Sequence, residues 1–150
     1  MKDFSKIERH GQVISRLIPV LRSKKFKSVL VMPVTASPFD LLVDKKARLE
    51  VKVGGLLSNG SGCAKWHFNL HRHNKIVDSK VDFFVLAIPD LNIFGIKRGL
   101  YLVIPGEDLR GKYTLAVTPR SLMARWGRYA NRWDLVKNFC ADMKKKAYGA

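Results

Sequence analysis

Apolar residues return at helical spacing near the start of the chain. Phe4, Ile7, Ile14, Leu17, Ile18 and Leu21 recur three and four apart, while Glu8, Arg9, Gln12 and Arg16 fall on the opposite side. This spacing predicts an amphipathic helix over residues 3 to about 23, with Asp3 as its cap and Pro19 as a possible kink or end. After the basic link Lys24-Lys25-Phe26-Lys27 the period changes. Ser28 to Met32 and Phe39 to Val43 are short apolar runs set off by Pro33 and Pro38, and both are expected to be strands. A polar turn at 44–46 leads into Leu49-Glu50-Val51-Lys52-Val53, which alternates strictly. The period of a strand puts Leu49, Val51 and Val53 on one face and Glu50 and Lys52 on the other.

Gly54-Gly55 is expected to end that strand, and Leu57 to Gly62 is the most loop-like stretch. Alternation resumes over 65–72, with Trp66, Phe68 and Leu70 on one face and His67, Asn69 and His71 on the other. The run Val81 to Ile88 is almost wholly apolar, as in a buried central strand. Leu100 to Ile104 and Tyr113 to Val117 are further strand candidates. Thr118-Pro119 and Ser121 then announce a long helix over about 121–147, carrying Leu122, Trp126, Tyr129, Trp133, Val136 and Phe139. Helix, strands and helix in that order predict an α+β fold with a mixed or mostly antiparallel sheet, and no domain boundary is visible within residues 1–150.

Composition narrows the partner. The chain has 28 Lys plus Arg against 12 Asp plus Glu, a net charge of +16. A surplus of that size concentrates polyanions, so nucleic acid is the first partner to consider and an anionic membrane surface the second. No apolar leader is evident, and the uncharged runs are far short of the ~18 residues a membrane span requires. Two cysteines, Cys63 and Cys140, make neither a disulfide framework nor a CxxC pair. A soluble protein of the reducing cytoplasm, without a membrane partner, is the expectation.

The segment from Asp40 to Lys52 carries the candidate chemistry. Glu50 and Lys52 share a strand face about 7 Å apart, and the turn at 44–46 folds Asp40 back beside them. Paired carboxylates on rigid strands hold a hard cation such as Mg²⁺ through oxygen. An ammonium beside them orients an attacking water or offsets charge growing on a phosphate. Together the three groups suit phosphodiester hydrolysis.

A helix followed by Ser37-Pro38-Phe39-Asp40-Leu41-Leu42-Val43 and then Leu49-Glu50-Val51-Lys52-Val53 resembles the PD-(D/E)XK nuclease superfamily, over roughly Glu8 to Lys52. That superfamily includes restriction enzymes, junction resolvases and some intron-encoded homing endonucleases. The resemblance implies a restriction endonuclease-like core, a mixed β-sheet flanked by an N-terminal and a C-terminal helix. It implies that Asp40, Glu50 and the Val51 carbonyl hold Mg²⁺, with Mn²⁺ as a substitute, that Lys52 acts at the water, and that Glu8 on the first helix assists, with Gln12 one turn on. There are two departures from the family pattern. Phe39 separates Pro38 from Asp40, and the helix expected between the third and fourth core strands is either very short or replaced by an inserted strand at 65–72.

Other constellations compete. Cys63, His67, His71 and His73 share a parity that would put them on one strand face, but ligands four apart on a flat strand lie about 13 Å from each other, too far to close around one zinc. The simpler expectation is a sheet face of Lys65, His67, Asn69 and His71 lying against a phosphate backbone, with His71 and Arg72 among the nucleic-acid-binding candidates. Lys24, Lys25 and Lys27, with Arg120, Arg125, Arg128, Arg132 and the run Lys144-Lys145-Lys146, form a candidate phosphate track. Trp126 and Trp133 are expected to be core or dimer interface rather than stacking platforms. The expected activity is a metal-dependent endonuclease on double-stranded DNA, of homing, restriction or junction-resolving type. Cutting both strands calls for two active sites and hence a homodimer or larger symmetric oligomer. The rival classes are a non-catalytic basic DNA- or RNA-binding protein and an RNA nuclease on the same scaffold.

Overall fold

The computed structural model describes residues 6–33, 39–58, 64–72, 75–76, 80–93 and 96–148. The proposed cap Asp3, Pro38, Cys63 and His73 lie outside the described residues.

The N-terminal periodicity becomes α1 (Lys6–Ser23), which passes through Pro19 without ending there. Its stop lies at Lys25, whose φ of 67° puts it in the left-handed region. The amide of Phe26 bonds the carbonyl of Leu21 at 3.4 Å and that of Lys25 bonds Arg22 at 3.0 Å. These two bonds are the pairing that closes a helix with a left-handed residue just past its end.

Five strands make the main sheet: β1 (Val29–Val31), β2 (Leu41–Val43), β3 (Ala47–Val53), β8 (Phe83–Ile93) and β9 (Ile96–Pro105), in the spatial order β1-β2-β3-β8-β9. All neighbours are antiparallel except β3 and β8, which run parallel in the register Glu50 with Phe84 and Lys52 with Leu86. The sheet is therefore mixed. The β2–β3 turn forms at Asp44 and Lys45, with φ of 51° and 57°. The Asp44 carboxylate holds it by accepting the amides of Lys27 at 2.7 Å and Ser28 at 3.0 Å. Asp82 fixes the parallel register from the start of β8: its carboxylate takes the Arg48 amide at 2.8 Å and both ends of the Arg48 guanidinium.

A parallel connection needs a crossover, usually a helix. Here the described part of residues 54–82 contains strands and no α-helix: β4 (Gly55–Ser58), β5 (Ala64–Asn69), β6 (His71–Arg72) and β7 (Lys75–Ile76). β5 pairs with β4 and with β10 (Thr114–Val117) in a second, three-stranded sheet. The helix missing from the sequence pattern is thus replaced by strands, and β3 ends before Gly54-Gly55 as expected, with β4 beginning one residue later.

The main sheet separates two cores. On one side Leu17 and Leu21 of α1 and Trp133, Val136 and Cys140 of the last helix cover Leu41, Val43, Leu49, Val51 and Phe83. On the other side Trp66, Phe68, Leu115 and Val117 of the small sheet cover Phe84, Leu86, Ile88, Leu102 and Ile104. Alternation along β3 and β8 assigns the side chains to these two layers.

The long C-terminal helix is the main correction. Thr118 does cap a helix start, exchanging side-chain and backbone bonds with Ser121, but α2 (Pro119–Ser121) is a single turn. It widens over Leu122–Trp126, tightens over Gly127–Tyr129 and stops, and α3 (Trp133–Tyr148) begins afresh. Tertiary bonds break the periodicity. Tyr129 gives its hydroxyl to Asp108 at 2.6 Å, Ala130 bridges to Leu102, and the Asn131 amide bonds Tyr101 at 2.8 Å. As a result the one apolar stripe serves both cores: Trp126 and Tyr129 pack on the small-sheet side, Trp133 and Val136 on the helical side. Both tryptophans are buried, as the sequence leads one to expect.

Candidate functional site

The site lies where β2 leaves β3. The register pairs Leu41 with Leu49, yet the amide of Asp40 also bonds the Leu49 carbonyl, at 2.9 Å. Two residues therefore face one, a bulge-like arrangement of the kind that re-aims a side chain. Beyond this point β2 no longer covers β3, and the N–H and C=O of Val51 need other partners. The Asp40 carboxylate supplies one, accepting the Val51 amide at 2.8 Å through Oδ2. The other comes from His10 on α1, whose Nε2 lies 3.1 Å from the Val51 carbonyl and 3.2 Å from Asp40 Oδ2.

Glu50 and Lys52 project toward the small sheet. Lys52 Nζ stands 3.5 Å from Glu50 Oε1 and donates to the His71 carbonyl at 3.2 Å. The His71 ring stacks on Tyr113, with centroids 3.7 Å apart and planes 6° from parallel. Asp40 is 3% exposed and Glu50 1%, and they are the two buried acidic residues among those described. Burying a carboxylate is costly unless something compensates it. Each has a basic group beside it, His10 for Asp40 and Lys52 for Glu50. The imidazole of His10 shows their field: its pKa is raised chiefly by the hydrogen bond to Asp40, against desolvation, with smaller contributions from the charges of Asp40 and Glu50.

Main sheet, helical layer and small sheet all contribute to this one corner. The architecture is shared with a bacterial homing endonuclease. The solved structure of that enzyme, I-Ssp6803I, matches 95% of this chain and 99% of its own, with a TM-score of 0.65 and 19% sequence identity. At that identity the likeness is one of fold. No family model and no curated protein matches the chain.

The sequence-derived candidates are placed as follows. Asp40 meets the backbone of Val51 and the His10 ring, and Glu50 pairs with Lys52 on the face of the same strand that looks toward the small sheet. Glu8 and Gln12 are exposed on α1 and line a shallow hollow with Gly11, Ser15 and Arg16. His10, absent from the sequence-derived set, is the α1 side chain seen to bond Asp40 and Val51. The signal for it was available: residues 10, 14, 17 and 21 are spaced four, three and four apart, so His10 continues the line of Ile14, Leu17 and Leu21 toward the sheet.

Lys24, Lys25 and Lys27 are exposed together where α1 ends, and Arg125, Arg128 and Arg132 are exposed along the broken C-terminal segment. Arg125 lies over the Trp126 ring and Arg128 over that of Tyr129, at 4.7 and 4.8 Å. Arg132 forks onto Asp134 and also reaches the Arg128 carbonyl. His71 sits beside Lys52, whereas the side chain of Arg72 lies outside the described residues. Among the described residues, no three His, Cys, Asp or Glu side chains gather closely enough to enclose an ion by themselves. Any cation at this corner would need the Val51 carbonyl as well. No described helix is long and apolar enough to cross a membrane.

Proposed function

We propose that this protein is a metal-dependent endonuclease acting on double-stranded DNA, of the homing type. One observation carries the proposal. A buried carboxylate, Asp40, meets the part of β3 that β2 leaves unpaired, where neighbouring residues supply a carbonyl, a second buried carboxylate and an ammonium, within a fold shared with a homing endonuclease.

The donors fit a hard divalent ion: carboxylate oxygens of Asp40 and Glu50 and the carbonyl oxygen of Val51 are the ligand types Mg²⁺ selects, with Mn²⁺ as a substitute. When bound, such an ion would neutralise phosphate charge and lower the pKa of water. The chain's own groups do the rest. Lys52, held between Glu50 and the His71 carbonyl, is positioned to steady a water or a non-bridging phosphate oxygen. Glu8 and Gln12 would assist from the solvent side of α1. The +16 charge draws the duplex in, with Lys24, Lys25, Lys27, His71, Arg72, Arg125, Arg128 and Arg132 as phosphate contacts. Cleavage of both strands would employ two copies in a symmetric homodimer or larger oligomer.

Nicking of supercoiled plasmid and of a pooled duplex library with Mg²⁺ tests this. Wild type should cut, while Glu50→Gln and Lys52→Ala should bind DNA but lose about 100-fold or more in rate. If wild type and both variants bind DNA alike and none cuts, the protein is a binding module.

A further inference from the structure

We propose that the imidazole of His10 is itself a ligand of the divalent ion, forming one face of its coordination shell with Asp40 Oδ2 and the Val51 carbonyl. It thereby biases the site toward transition ions such as Mn²⁺ over Mg²⁺. This rests on the metal-dependent reading above and goes beyond it by adding a nitrogen donor.

The geometry points there first. His10 Nε2 lies 3.2 Å from Asp40 Oδ2 and 3.1 Å from the Val51 oxygen. Two ligands at right angles around an octahedral ion, each about 2.1 Å from it, are about 3.0 Å apart. The nitrogen thus already stands from both oxygens at the separation that neighbouring ligands adopt, and small adjustments would admit an ion between them.

Hydrogen bonding explains the cluster less completely. A ring nitrogen offers either one hydrogen or one lone pair. In the first state it must share that hydrogen between two acceptors, and in the second it faces two oxygens with nothing to give. Asp40 Oδ2 already accepts the Val51 amide. A cation would satisfy the nitrogen and both oxygens at once, with the imidazole proton on Nδ1.

The helix makes the placement durable. Leu17 and Leu21 are fully buried against the sheet, which sets the rotation of α1, and His10 lies on the same line two turns earlier. The nitrogen is therefore delivered by packing, as a precise ligand must be. Imidazole is a good donor to first-row transition ions, whereas Mg²⁺ favours oxygen and keeps its waters. A His in the set consequently changes which ion the site prefers.

Mn²⁺ is the probe. Electron spin-echo measurements on wild type with Mn²⁺ should show a directly bound ¹⁴N, replaced by ¹⁵N when the protein is labelled only at histidine. His10→Ala should abolish that signal and weaken Mn²⁺ binding by calorimetry about 10-fold or more, with a smaller loss for Mg²⁺. Bound Mn²⁺ without a nitrogen signal in wild type overturns the proposal. So does a His10→Ala protein that binds Mn²⁺ as tightly as wild type or tighter, since the imidazole would then only fill the place the ion takes. The isotope experiment needs no substitution, so a poorly folded variant does not remove the test. The parent reading fails separately. A nitrogen-bound Mn²⁺ that Asp40→Asn eliminates, in a protein that cuts no DNA, keeps His10 as a ligand and removes the nuclease. Magnesium-dependent cutting with no nitrogen signal does the reverse, and a wild type that binds no Mn²⁺ removes both.

Discussion

The carboxylate of Asp40 accepts the backbone amide of Val51 at 2.8 Å, although the two residues are eleven positions apart in the chain. This bond takes the place of the strand pairing that β2 abandons, so Asp40 is at once a piece of sheet structure and a buried anion. The two roles can be separated. Asparagine keeps an oxygen that can accept the amide, while alanine leaves the amide unsatisfied. Asp40→Asn should therefore retain most of the wild-type stability and lose cleavage. Asp40→Ala should lose cleavage and, in addition, about 1–3 kcal/mol in urea unfolding. Equal stability of the two variants would show that the bond contributes little.

Glu50 is expected to behave in the opposite way. It is 1% exposed, and its ion-pair partner Lys52 stands 3.5 Å away at the edge of the same layer. A carboxylate buried this deeply is retained at a cost in desolvation. Glu50→Gln should abolish cleavage while leaving the melting temperature unchanged or higher, as happens when a strained functional site is neutralised. A large drop in melting temperature would mean that the pair is primarily structural.

His10 supplies a pH dependence with a definite sign. In the metal-free protein its pKa is raised above the ordinary value of 6.5, chiefly by the hydrogen bond to Asp40. A group raised on folding contributes stability that is fully present below the unfolded value and is lost as pH rises through the folded one. Unfolding followed between pH 5.5 and 8.5 should accordingly show a loss toward the alkaline side that is absent in His10→Ala and in Asp40→Asn. The imidazole resonances should place the His10 midpoint above that of an ordinary histidine.

Lys25 joins stability to binding at a second place. It holds φ of 67° just past the end of α1, where glycine is the residue of lowest cost. Lys25→Gly should raise stability by about 0.5–1 kcal/mol, while removing one cation from the exposed cluster with Lys24 and Lys27. Weaker DNA binding with a shallower salt dependence should accompany the gain. Unchanged DNA affinity would take this turn out of the phosphate track.

Much of the architecture was legible because it depends on local period. The spacing of Ile14, Leu17, Ile18 and Leu21 marks α1, and the alternation through Leu49, Glu50, Val51, Lys52 and Val53 marks β3 and assigns its faces. The C-terminal segment departs from its local period for a reason that period cannot carry. A stripe from Leu122 to Phe139 has the right spacing for one helix, but spacing carries no record of Tyr129 reaching Asp108 or of Ala130 bridging to Leu102. Those partners lie about twenty and thirty residues away, and they break the helix so that its halves serve opposite faces of the sheet.

The residues themselves determined an α+β chain, strongly cationic, with an acid, a second acid and a lysine on adjoining strands. Tertiary structure decided what local pattern could not: that a second sheet fills the crossover, that Asp40 turns in to hold the Val51 amide, and that His10 is the α1 side chain bonded there. Periodicity fixes which face of an element is apolar, because burial repeats with the turn of the backbone. Which atoms meet at the end of a strand depends instead on where its neighbour stops and on how a helix is rotated by its packing, and both are settled only when the layers close on one another.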